Sequence, residues 1–277
     1  MSLIEYRVDE AVAIITLNRP ETNNAQNPPL LNELDAAFEK AANDPAVKVI
    51  ILNANGKHFS AGHDISPEVR SYDPWKSMFD DVDENGLMGM YKWETKHFLG
   101  YSRKWRDIQK PTIAAVQGAC IAGGLMLVWP MDLIIAADNA RFSDPVVVMA
   151  IGGVEYHGHT WELGARKAKE LLFTAEFVSA EEAHRLGMVN RVVPADELQE
   201  QTLALAKKIS KMHPHGLMMA KRAVNQTQDI QGMYVALQSV FDMHSLGHAN
   251  AWVVNPGNAT LANLEQMTAA NKAQPKG

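Results

Sequence analysis

One cysteine, Cys120, stands in 277 residues, so no intrachain disulfide can form and no multi-cysteine metal site exists. Basic runs are missing too. The formal net charge is −6 and no segment concentrates lysine and arginine, which argues against a nucleic-acid partner. Nor is there a long unbroken apolar stretch. The longest candidate, Ile121 to Ala137, is interrupted by Gly123, Gly124, Pro130 and Asp132, so no membrane span is expected. Met1 to Arg7 has no basic region followed by an apolar run and already alternates like a strand. A secretory leader is therefore not expected, and a cytoplasmic setting is the default.

Hydrophobic residues make up 47% and charged residues 21%, ordinary values for a chain that can bury one large core. Ile4, Tyr6 and Val8 alternate, Asp9-Glu10 makes a polar break, and Val12 to Leu17 is rich in β-branched residues; the pattern predicts a β-hairpin. Pro28-Pro29 opens a helix with Leu30, Leu31, Leu34, Phe38 and Ala41 on one face, and Asn43-Asp44-Pro45 stops it. Three short apolar runs, Val47 to Leu52, Thr112 to Val116 and Leu133 to Ala137, read as buried strands. Strands separated by helices predict parallel crossovers and an α/β class. Beyond Glu162 the chain reads as helical: Ala165 to Phe173, Ala180 to Leu186, Ala195 to Met212, and one further stretch from Gly216 to His248.

Two loops follow buried strands: His58-Phe59-Ser60-Ala61-Gly62-His63-Asp64-Ile65 and Gly118-Ala119-Cys120-Ile121-Ala122-Gly123-Gly124. Ligands of open α/β sheets gather beyond the carboxyl ends of the strands. Glycine allows backbone to approach a ligand closely, and Gly123-Gly124 before a helix offers free N–H groups where negative charge is favoured. Taken alone, a Gly-Gly turn is ordinary punctuation.

With their flanks, these segments resemble the crotonase, or enoyl-CoA hydratase/isomerase, superfamily. Asn18-Arg19-Pro20 with Asn24-Ala25 resembles its N-terminal signature. Phe59 to Ile65 resembles the first oxyanion loop, and Lys110 to Gly118 leading into Gly123-Gly124 the second. Thr174-Ala175-Glu176, Ser179 to Ala183 and Leu186 to Asn190 resemble its helical region, so the likeness runs from the first strand to about Leu246.

The resemblance implies a ββα superhelical core over residues 1–195 and a C-terminal helical trimerisation region over 196–277. It implies an acyl-CoA thioester as substrate, with CoA part of that substrate and no separate cofactor or metal, and a homotrimer or dimer of trimers. Carried onto this chain, it makes the backbone N–H groups of His63 and Gly123 an oxyanion hole, and it places backbone near Ala25, Ala61 and Asp64 along a CoA channel. Main chain acts at residue 63, so the His63 imidazole is not implied as a base; it is expected to line or pack at the mouth.

Two departures follow. Hydratases of the superfamily use two glutamates, and here the corresponding positions hold Met126 and Val146, which cannot transfer protons. Glu155, within one position of an aspartate used by some members, is the substitute acid/base candidate; a solvated or trimer-contact glutamate is the alternative. His157 and His159 read as a structural or interface pair more readily than as metal ligands. Asp144 reads equally as inward-facing or as an Asp-Pro turn. Tyr156 is a weaker candidate. The stretch from Ser66 to Trp105 carries Tyr72, Trp75, Phe79, Tyr91, Trp93, Phe98 and Tyr101, suited either to cover a bulky acyl group or to pack a helical insert. Without catalysis, the same loops would make an acyl-CoA-binding pseudoenzyme. A serine hydrolase is disfavoured, because a nucleophile elbow around Ser60 needs glycine where His58 stands.

Overall fold

A computed structural model describes residues 2–66, 86–256 and 258–261. Its centre is a six-stranded sheet in the order β1-β2-β3-β4-β6-β9. The hairpin of β1 (Ile4–Asp9) and β2 (Val12–Leu17) is antiparallel. β3 (Val49–Ala54), β4 (Thr112–Val116), β6 (Leu133–Ala137) and β9 (Arg191–Val193) then add in parallel. A small second sheet joins β5 (Ala119–Ile121), β7 (Arg141–Ser143) and β8 (Val178–Ser179).

Both faces of the large sheet are covered, which explains why its strands read as continuous apolar runs rather than alternating ones. Period-two geometry still sorts β2: Ala13, Ile15 and Leu17 enter the main core with Leu30, Leu34 and Phe38 of α1 (Pro28–Asn43). Val12 and Ile14 face the other way, onto Leu198 and Ala206 of α7 (Leu198–Ser210). The α1 start is capped by the Asn27 side chain, which accepts from the Leu30 N–H.

Between β3 and β4 the described chain is helical: α2 (Gly86–Glu94), a π-helical segment (Thr95–Gly100) and α3 (Tyr101–Arg106). Tyr72, Trp75 and Phe79 lie outside the described residues. Trp93 and Phe98 are core residues, so at these two positions the aromatic segment packs inward. α4 (Gly123–Val128) follows β5, α5 (His159–Thr174) and α6 (Ala180–Arg185) precede β9, and α8 (Pro214–Ile230) and α9 (Met233–Val254) end the described chain.

The helical stretch from Gly216 to His248 is divided in two, because Gly232, at φ +102°, breaks the chain between α8 and α9. Among the described residues, no helix is long and apolar enough to cross a membrane.

Candidate active site

The two glycine-bearing loops are stitched together by main chain. Phe59 N–H donates to Gln117 O at 2.9 Å, Ser60 N–H to Ala119 O at 3.2 Å, and Ile121 N–H to Ser60 O at 3.0 Å. Gln26 extends the seam, donating to Gly62 O and accepting from Asp64 N–H, each at 2.8 Å. Close approach is what the glycines permit. At Gly62, φ +91°, an added methyl would lie 2.9 Å from Ile121 O and 3.3 Å from Gly123 N. Ser60 is fully buried, and its hydroxyl donates to Asn24 O while accepting from Gly62 N–H and the Gln26 amide. It is a knot in the loop, not a free nucleophile.

Ala122 holds φ 45°, ψ −110°, a conformation costly for a residue with a Cβ. That backbone turns the chain into α4, of which Gly123 is the first residue, so the Gly123 amide has no helical acceptor. Among the described residues, neither the His63 nor the Gly123 N–H finds an acceptor. A methyl on Gly123 would meet His63 Cε1 at 2.8 Å, and Gln26 Oε1 and His63 Nδ1 at 2.9 Å. The His63 ring and the Gln26 amide therefore wall the space in front of that glycine. Their facing atoms, Nδ1 and Oε1, are buried and lack a partner among the described residues.

At the channel positions, Ala25 is buried and Ala61 is exposed. The Arg19 guanidinium donates to Ala25 O at 2.9 Å and pairs with Asp64. Burial tends to raise the Asp64 carboxyl, but hydrogen bonds from Arg19 and Ser66 and the guanidinium charge outweigh it and hold it below its usual range.

Behind the loops lies a buried ionisable cluster. Glu155, 3% exposed, has Oε2 3.1 Å from His63 Nε2 and Oε1 3.3 Å from His244 Nε2. His248 Nε2 lies 3.0 Å from His244 Nε2, and Glu94 reaches both imidazoles at 3.7 and 4.0 Å. Burial would raise the Glu155 carboxyl, yet the charges of His63 and His244 and the His63 hydrogen bond pull it below the normal range. Glu94 moves the opposite way, pushed well up by burial and by the charge of Glu155. The His63 ring stacks on Phe98 at 4.2 Å between centroids. The side chain of His63 is thus engaged on both sides, by a carboxylate and by an aromatic face.

The remaining candidates sort by their contacts. Met126 is wholly buried in the main core, and Val146 packs with Ala122, Met149 and Ile151. Neither offers a proton. Asp144 is fully buried; it accepts from the Val146 and Val154 N–H groups and pairs with His159 at 2.9 Å, so it fastens the loop that carries Glu155. His157 packs tilted against His159, ring centroids 4.2 Å apart, and burial, then His159, hold its pKa near 3. Tyr156 is buried and its phenol is pushed up by burial.

Reading the sequence picked out Glu155 but missed Glu94, His244, His248 and Gln26. A signal existed for two of them. His244 and His248 are four apart in a helical stretch, a spacing that puts both rings on one face.

Comparison with known proteins agrees with this architecture. The enoyl-CoA hydratase/isomerase family model matches residues 7–248. A crystal structure described as a probable enoyl-CoA hydratase from Mycobacterium smegmatis is 58% identical, with a TM-score of 0.87, covering 94% of this chain and all of that one. An enoyl-CoA hydratase/isomerase structure from Xanthobacter autotrophicus Py2 is 29% identical, with a TM-score of 0.84 and 99% of each chain covered. A curated Mycobacterium tuberculosis relative, “Putative enoyl-CoA hydratase EchA13”, is 41% identical over 265 residues, 93% of this chain and 83% of its own length. A motif set spread from Asn18 to Asn190, a doubly covered sheet and a match over most of the chain converge: this protein belongs to the enoyl-CoA hydratase/isomerase family.

Proposed function

We propose that the chain is an acyl-CoA enzyme in which the N–H groups of His63 and Gly123 grip the thioester oxygen and Glu155 carries the proton. The reaction class is proton transfer at the carbon beside the thioester, as in hydration of an enoyl-CoA or movement of its double bond. One observation carries the reading: two amides without acceptors among the described residues, on loops stitched side by side, with a buried carboxylate one imidazole away. Preorganised amides of this kind stabilise the developing enolate where water is excluded, at about 3–4 kcal/mol per donor. Glu155 replaces, from a neighbouring loop, the carboxylates absent at Met126 and Val146. His63 and His244 hold its two oxygens in place, at 3.1 and 3.3 Å.

The CoA portion runs past Ala25, Ala61 and Asp64, and no separate cofactor is required. The site works in a homotrimer or dimer of trimers away from membranes and nucleic acid, in the cytoplasm. Support for assembly comes from α8 and α9, whose Val224, Ile230, Val235, Leu246 and Val253 are 62–88% exposed. Light scattering tests this, and a monomer at micromolar concentration rejects it.

Purified protein assayed against a panel of acyl-CoA thioesters, enoyl-CoAs first, is expected to turn one over. Glu155→Gln should lower kcat by about 10²–10⁴-fold with thioester binding retained. Binding without turnover of any thioester would instead make the chain a non-catalytic acyl-CoA carrier, the reading that Met126 and Val146 favour.

A further inference from the structure

His244 and His248 sit one turn apart on α9, and both are buried. Each has its Nδ1 2.7 Å from a main-chain carbonyl, Gly153 O for His244 and Ala259 O for His248. A carbonyl only accepts, so both Nδ1 atoms carry a hydrogen, and in a neutral ring Nε2 is then a lone pair. The two Nε2 atoms face each other at 3.0 Å, a distance at which lone pairs repel unless something positive lies between them.

Carboxylates close the same space. Glu94 brings Oε1 to 3.7 Å from His248 Nε2 and Oε2 to 4.0 Å from His244 Nε2, and its Oε2 has no hydrogen-bond partner among the described residues although the residue is only 4% exposed. Glu155 stands alongside, 3.3 Å from His244 Nε2. An unpartnered carboxylate oxygen buried this deeply is costly unless a cation or proton meets it.

We propose that Glu94, His244 and His248 form a binding site for one divalent transition metal of zinc type. Their donor atoms lie within 4.8 Å of one another. Two imidazole nitrogens and one carboxylate are a donor set that zinc and its neighbours accept, with a fourth position open. Donation of each Nδ1–H to a carbonyl is the outer support that metal-binding histidines receive. Histidines four apart on a helix present both rings to one ion. Charge closes as well: a divalent cation would offset the buried carboxylates of Glu94 and its neighbour Glu155. Tetrahedral zinc, with bonds of about 2.0–2.1 Å, holds its donors about 3.3 Å apart, so binding would part the two imidazoles slightly and draw the Glu94 carboxylate inward.

The site borders Glu155 but uses neither of the two amides, and its test reads metal binding rather than turnover, so each reading can fail without the other. The test strips the full-length protein with a chelator and titrates it with Zn²⁺ by calorimetry and with Co²⁺ by visible absorption. One equivalent is expected, with Co²⁺ bands of tetrahedral intensity. His248→Ala and Glu94→Gln should each weaken binding at least 100-fold, while His213→Ala, on the exposed surface, leaves it unchanged. Absence of stoichiometric binding, or binding equal in wild type and both variants, overturns the site and leaves a shared proton between the imidazoles. Should the variants fail to fold, the wild-type Co²⁺ spectrum decides: weak octahedral bands of a surface-bound ion overturn the proposal as well.

Discussion

The two glycine-bearing loops and the ionisable cluster behind them meet at one residue, yet they are built on opposite principles. Residues 58–65 and 118–124 present main chain, and their geometry comes from local features: strand ends, glycines, a strained alanine and a few backbone hydrogen bonds. The cluster acts through side chains drawn from α2, the first loop, the segment after Met149 and α9, more than 180 positions apart at the extremes. A backbone site tolerates change in most of its side chains but no change in its turns. A side-chain site behaves the other way round.

The sharpest way to break that contrast is Gly123→Ala. Alanine favours a helix over glycine, yet the added methyl would sit 2.8 Å from His63 Cε1 and 2.9 Å from Gln26 Oε1. Thioester turnover should fall about 10²-fold or more with circular dichroism unchanged. Full activity in this variant would mean that the space walled by the His63 ring and the Gln26 amide is not where the thioester reacts.

A smaller effect, read in stability, is expected from Ser60→Ala. That change removes a hydroxyl that serves Asn24 O, the Gly62 N–H and the Gln26 amide in a fully buried place. Denaturant titration should show a loss of about 1–3 kcal/mol, because buried polar groups lose their partner. An unchanged midpoint would show that the loop seam stands without its side-chain knot.

The loop carrying Glu155 gives a pH signature. His157 is held neutral in the fold, with a pKa near 3 against 6.5 when unfolded, so unfolding takes up a proton between those values. Its contribution is present above pH 6.5 and is lost as pH falls from 6.5 toward 3. In His157→Asn, the melting temperature should decline less steeply over that window than in the wild type. Parallel curves would remove His157 from the account. The smallest response is expected at Cys120: it is buried, and burial pushes its thiol up, so thiol reagents should leave the native protein unlabelled while the denatured chain reacts.

This division also explains what the sequence could disclose. Val49–Ala54 and Thr112–Val116 were legible because burial on both faces leaves an apolar run, and the loops were legible because glycine marks tight turns. The strands β5, β7, β8 and β9 were not, since two or three residues carry no periodicity. The break at Gly232 was hidden inside a pattern that stays helical on both sides. Within the site, Glu155 stood out through its place in the family pattern, whereas Glu94 reaches it only because α2 packs against α9. His244 and His248 announced a shared face but not what that face looks at.

His63 is bolted to two machines at once. Its peptide lies in the first glycine-bearing loop, and its ring, joined through a single methylene, is clamped between Phe98 and Glu155. A tilt of that peptide is thereby tied to the ring, and through Glu155 to His244 on α9. Should a thioester sit against the amide, its arrival would reach the cluster through one side chain.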